Sequence, residues 1–321
     1  MFAALATLFL ARQVSAAYPS YSVADSFTGS QFLDWNFYAN ADPTHGRVEY
    51  VDKATAQSEN LAVVTDSTFI MRADAVNVVQ PSDPGRKSVR ISSPQAYSDS
   101  VLVLDLSHMP VGCGTWPAFW TVSQHGTWPR GGEIDIIEGV NTNKQNLASL
   151  HTTPNCTMPQ DRTQSGSSVS SDCNAFVNYN QGCGVAFNKP DSYGSSFNDR
   201  GGGFYAMQRS QDGVNVWFWT RNDSNLPMEI DKNLPTINPQ YWGTPEAFFP
   251  TTQCSYDGHF NAHNVVFDLT FCGDWAGSAY SKSGCGGDCI DFVNNNPAAF
   301  KEAYWELRSL TAYLPDSGST L

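Results

Sequence analysis

The chain has 321 residues, with 18 Lys and Arg against 31 Asp and Glu, for a formal net charge of −13. That acidity argues against nucleic acid or an anionic membrane as the main partner, because both require positive charge. With 13% aromatic and only 15% charged residues the chain is neither a coiled coil nor disordered, and its 41% hydrophobic content is too low for a polytopic membrane protein.

Phe2 to Ala11 is an apolar run too short to span a bilayer, followed by small residues at Ser15, Ala16 and Ala17. The pattern predicts a signal peptide over residues 1–17, although Arg12 follows the apolar run rather than preceding it. A buried N-terminal helix is the competing reading. The eight cysteines agree with export, an even number suiting disulfides in an oxidising compartment. Cys285 and Cys289 have a spacing zinc could use, but no CxxC or HxxxH lies near them. Asn155-Cys156-Thr157 and Asn222-Asp223-Ser224 are N-glycosylation sequons.

Further along, the pattern is β. Ser100 to Leu106 is a short apolar strand. Residues 154–203 form a polar stretch with three cysteines, read as disulfide-pinned loops rather than a linker between domains. Phe204 to Arg209 and Val214 to Thr220 flank Ser210-Gln211-Asp212-Gly213 as a hairpin. Val265 to Phe271 is another strand, Asn295 to Tyr304 the best short-helix candidate, and Trp305 to Ala312 a closing strand. The C-terminal TAYLPDSGSTL lacks the hydrophobic tail of a lipid-anchor signal.

The chemistry concentrates in Trp128-Pro-Arg-Gly-Gly-Glu-Ile-Asp-Ile-Ile-Glu-Gly139. On a strand, alternate residues share a face, so Glu133 and Asp135 point one way while Ile134 and Ile136 point into a core. Glu138 falls out of phase. One β-bulge near Ile136-Ile137 would return it to the carboxylate face. Three acids on one face suit a paired-carboxylate acid–base device better than a metal site, which would want more ligands or a Gly-turn loop. A solvated acidic strand is the remaining alternative.

The run GEIDIIEG resembles the catalytic signature of glycoside hydrolase family 16 in its bulged E-x-D-x-x-E form. ADPTHGRVEYVD (41–52), GCGTWPAFW (112–120), WPRGGEIDIIEGVN (128–141), LHT (150–152) and FCGDWAG (271–277) extend the resemblance to fungal endo-β-1,3(4)-glucanases of laminarinase type. It covers essentially the whole mature chain. It implies an all-β jelly-roll sandwich of two antiparallel sheets, concanavalin A-like, formed by one domain over 18–321 with an open substrate cleft. Glu133 is then the nucleophile, Glu138 the general acid/base and Asp135 the residue assisting the nucleophile. Trp120, Trp128 and Trp275 fall in cleft-lining segments, and His151 matches a family histidine near the nucleophile. Trp116 is open between core and cleft, as are Trp217 and Trp219. Arg130, and a longer loop from Thr121 to Thr127, depart from the family pattern beside the cleft.

The resemblance implies a secreted, monomeric endo-β-glucanase acting with retention on β-1,3-glucan and mixed β-1,3/1,4-glucan. No cofactor enters that chemistry, while a structural calcium ion, known in some relatives, has no clear motif here. A cell-wall transglycosylase and a non-catalytic β-glucan-binding protein are the alternatives. The extra Ile of the bulged motif counts against the first, and the presence of all three acids against the second.

Overall fold

The computed structural model describes residues 20–316; the expected signal peptide lies outside them. Two large antiparallel sheets make a sandwich, as the resemblance implies. One runs, in spatial order, Thr236–Ile237, Tyr21–Phe27, Tyr304–Pro315, Ser100–His108, Gly203–Ser210, Gly213–Thr220 and Ala247–Pro250, with Phe69–Arg72 and Ala62–Val64 attached beside Tyr304–Pro315. The other runs Ser167–Ser168, Cys183–Ala186, Leu147–His151, Glu133–Glu138, Thr115–Ser123, His263–Phe271, Ile91–Tyr97 and Asn36–Phe37.

Inward side chains of both sheets build one core. Leu102, Leu104, Met207, Val216, Phe218 and Leu310 of the first meet Ile91, Phe119, Ile134, Leu150, Val265 and Phe267 of the second. Alternation along each strand supplies this inner face, and apolar burial drives the sheets together. The closing strand needs a correction of phase of its own. Its register against Ser100–His108 shifts between Leu307 and Ser309, so Trp305, Leu307, Leu310 and Ala312 all reach the core.

Trp217 and Trp219 lie on the opposite face of the first sheet. There they pack with Ile230 and Trp242 under a covering segment, remote from the acidic strand. They are core residues of a second apolar layer. The hairpin is as expected, with Ser210 opposite Gly213 across a two-residue turn.

The short-helix expectation over 295–304 is incorrect. The helix is Cys289–Asn295, followed by a 3-10 turn Pro297–Phe300, and Tyr304 already belongs to the closing strand. Pro297 forces Asn296 out of helical geometry, to φ −121 and ψ 62, and breaks the element there.

All eight cysteines pair, as Cys113–Cys285, Cys156–Cys254, Cys173–Cys183 and Cys272–Cys289. Cys285 and Cys289 therefore form no zinc site. The 154–203 stretch is pinned by three of these sulfurs and carries Cys183–Ala186 as a strand of the second sheet. Among the described residues no helix is long and apolar enough to cross a membrane.

Candidate active site

The acidic strand Glu133–Glu138 lies in the second sheet between Thr115–Ser123 and Leu147–His151. Glu133 stands opposite Val122 and His151, and Asp135 opposite Trp120 and Ser149. Then the register slips, so that Ile137 faces Phe119 and Glu138 faces Ala118 and Leu147. This is the bulge that the spacing of the acids requires. Ile134, Ile136 and Ile137 are all fully buried in the core, and the three acids share the other face.

A bulge leaves backbone groups without ladder partners. Here Asn146, itself fully buried, takes both: its Oδ1 accepts from Glu138 N–H at 3.1 Å and its Nδ2 donates to Ile136 O at 2.8 Å. The approach to the strand is held as tightly. Gly131 and Gly132 have φ of +78 and +83, and a Cβ on Gly132 would lie 2.5 Å from the Phe260 ring. His263 Nε2 donates to Gly131 O at 2.6 Å while its Nδ1 accepts from Thr121 Oγ1. Burial pushes that imidazole down to about 3, so it is a neutral strut. Beyond the strand, Asn141 accepts from Gly114 N–H and donates to Ala276 O, tying together the loops that carry Trp116 and Trp275.

Each outer glutamate receives one indole N–H. Trp128 Nε1 donates to Glu133 Oε2, and Trp116 Nε1 to Glu138 Oε1, both at 2.8 Å. Burial pushes both carboxyls up to about 7; the Trp128 bond and Arg90 oppose this at Glu133, and His151 and the Trp116 bond at Glu138. Asp135 is raised well above the carboxylate range, by burial first and then by Glu133, Glu138 and Asp268. His151 Nε2 lies 3.4 Å from Asp135 Oδ2, and burial lowers this imidazole. The site holds carboxyls part-protonated near neutrality, which a proton-transfer device needs.

All the expected site residues meet in this region. Trp128 is exposed and lies 6.5 Å from the His151 ring. Trp275 joins through an edge-on contact with Trp116 at 5.7 Å, which puts Trp116 in the site rather than the core. Trp120 shares the carboxylate face but is 9% exposed, because Arg90 lies over its ring at 4.9 Å. Glu133, Asp135 and His151 bring ligand atoms within 4.8 Å of one another. A cation there would confront the Trp128 N–H already directed at Glu133, so the donor set fits a metal poorly.

Sequence reasoning missed Arg90, Tyr38 and Asp268. Arg90 is sandwiched between Tyr38 and Trp120, 3.6 Å from Asp268, which stands opposite Ala118 on the same face. Burial raises Asp268 to about 7 against the pull of Arg90. An aromatic-flanked basic residue on a face with acids is a binding-surface signal, but these four residues lie far apart in the chain. Asn146 and His263 were missed for the same reason.

Residues 35–313 match the family described as XgeA-like, catalytic GH16 domain. The chain belongs to glycoside hydrolase family 16. A probable glycosidase of Schizosaccharomyces pombe is 42% identical over 92% of this chain and 69% of its own length. A probable endo-1,3(4)-beta-glucanase of Aspergillus clavatus is 40% identical over 94% of the chain. The chain spans 47% of that relative, and less than half of several similar ones. Among solved structures, the GH16 Laminarinase 16A from Phanerochaete chrysosporium, with beta-glucans in donor and acceptor sites, is 50% identical. It has a TM-score of 0.90 over 92% of this chain and all of that one. An elongating GH family 16 beta-1,3-glucosyltransferase is 42% identical with a TM-score of 0.84, again over 92% and 100%. The family 16 sandwich thus extends over the described chain.

Proposed function

We propose that this family 16 domain is a secreted, monomeric endo-β-glucanase that hydrolyses β-1,3-glucan and mixed β-1,3/1,4-glucan with retention of configuration. The observation carrying this reading is the bulge that brings Glu133, Asp135 and Glu138 onto one face, each outer glutamate held by its own indole N–H. The names of the relatives support the substrate class.

In this mechanism Glu133 attacks the anomeric carbon while Glu138 protonates the departing glycosidic oxygen, and a covalent glycosyl-enzyme forms. Glu138, now a carboxylate, takes a proton from water. That water displaces Glu133 and releases the sugar with its configuration kept. Asp135 assists Glu133, and His151 braces Asp135. Trp128 and Trp275 offer apolar surface to the C–H faces of the sugar rings, while Trp120, covered by Arg90, supports the face from beneath. The chemistry uses no cofactor, so EDTA should leave turnover within about twofold of its starting value; a large loss restored by calcium would refute that.

The test is product analysis on linear β-1,3-glucan, mixed-linkage β-glucan and cellulose. Short oligosaccharides from the first two and none from cellulose support the proposal. Products longer than the oligosaccharides supplied favour glycosyl transfer, the second reading, which the elongating glucosyltransferase neighbour keeps in view. Binding without products would make the acidic strand a recognition surface.

A further inference from the structure

Asn178, Tyr179 and Asn180 carry successive φ values of +52, +57 and +58. A non-glycine residue rarely adopts this region, and three in succession need a local reason. The turn lies within the ten-residue span closed by Cys173–Cys183, whose sulfurs anchor it to the strand neighbouring Leu147–His151. Gly182 ends it so close to Leu147–His151 that a Cβ there would lie 2.5 Å from Leu150 O and 2.9 Å from His151 Nε2. The result is that Asn180 Oδ1 comes within 2.8 Å of His151 Nδ1.

An amide oxygen only accepts, so His151 Nδ1 carries the hydrogen and Nε2 presents its lone pair. That lone pair faces Asp135 Oδ2 at 3.4 Å. Asp135 is 4% exposed, and Oδ2 has no hydrogen-bond partner among the described residues. Two acceptors this close require a proton between them, and Asp135 is the group able to supply it. We propose that Asn180 is a positioning residue that locks His151 as its Nδ1–H tautomer, so that Nε2 accepts the carboxyl proton of Asp135. Burial and the flanking glutamates favour the neutral acid, and burial favours the neutral imidazole. The charged groups facing His151 are Glu133, its partner across the ladder, with Asp135 and Glu138; residues 174–182 bring no carboxylate, amine or imidazole. The site thereby carries one negative charge fewer, with the single O–H of Asp135 directed at His151 Nε2.

The kinetic consequence rests on the glucanase proposal; the tautomer does not. The test is imidazole 15N NMR on the full chain, with N180G, which tolerates positive φ but has no amide, and N180D, which keeps an acceptor. Wild type should show His151 as Nδ1–H, N180D should keep that tautomer, and N180G should lose it. N180G should lower kcat about 10-fold with KM within twofold, and add nothing in an H151N background. An Nε2–H tautomer in wild type would overturn the proposal, since the Asn180 amide would then be donating and Asp135 ionised. So would an unchanged tautomer in N180G, or losses that add in the double variant. An inactive wild type showing the Nδ1–H tautomer would refute the glucanase reading alone.

Discussion

Glu133 and Glu138 both carry pKa values pushed up to about 7, mainly by burial, on a strand where a third acid stands between them. They titrate as one unit, and near neutrality the pair shares protons. A raised carboxyl contributes stability below its unfolded value near 4.5, and that contribution is lost as pH rises through 7. Glu133→Gln should therefore fold, lose at least about 10³-fold in kcat, and melt about 2–4 °C above wild type at pH 8. The melting difference should vanish near pH 4; scanning calorimetry across pH reads this, and a difference independent of pH would contradict it. The Trp128 bond pulls the Glu133 pKa down. Trp128→Phe should move the acid limb of the kcat/KM profile to higher pH and cut kcat/KM about 10-fold, the worth of one hydrogen bond to a charged group. An unmoved limb would show that the indole only stacks on sugar. That the three acids share one face was legible from their spacing. Their partners were less so: Trp128 is five residues from Glu133, but Trp116 is 22 residues from Glu138 and reaches it only because their strands pair.

At the scale of elements, the carboxylate strand works because its bulge is satisfied. The need for a bulge could be read from parity, since Glu138 is five residues beyond Glu133 and must share its face. Asn146 could not be read, because its side chain serves backbone groups ten and eight residues earlier. Asn146→Ala would leave a buried N–H and a buried C=O unpaired, at a cost of about 2–4 kcal/mol. It should lower kcat more than it raises KM, because Glu138 loses its anchor while the substrate-facing tryptophans stay. Chemical denaturation with steady-state kinetics would check both; full stability would mean that another group closes the bulge. The failed helix prediction over 295–304 belongs to this scale too. Pro297 lies inside that span, and the backbone before a proline leaves helical space, so the helix ends at Asn295.

Across the whole molecule, disulfides hold the loops that a sandwich leaves free at its ends. Cys113–Cys285 and Cys272–Cys289 tie the segment bearing Trp275 to the strands of Trp116 and Asp268, and Cys156–Cys254 secures the long polar stretch. Cys113→Ser with Cys285→Ser should cost about 2–5 kcal/mol in unfolding, and should raise KM for long glucans more than it lowers kcat. Thermal melts and chain-length kinetics test this; a kcat loss at unchanged KM would place the bond's role with Glu138 instead.

Alternation and phase are properties of neighbouring residues, so the β architecture, the acidic strand and the need for its bulge can be read from the sequence alone. The sequence also determined that the cysteines would form disulfides, though not which with which. Tertiary structure decided the pairing of cysteines up to 172 residues apart and the assignment of Trp116 to the site and of Trp217 and Trp219 to the core. It also decided the reach of Arg90 and Asn180 to the carboxylate face, and of His263 to the glycine turn that leads into the acidic strand. Those contacts depend on which strands lie side by side. That choice is made by the burial energy of the whole sandwich, which no local stretch of sequence carries.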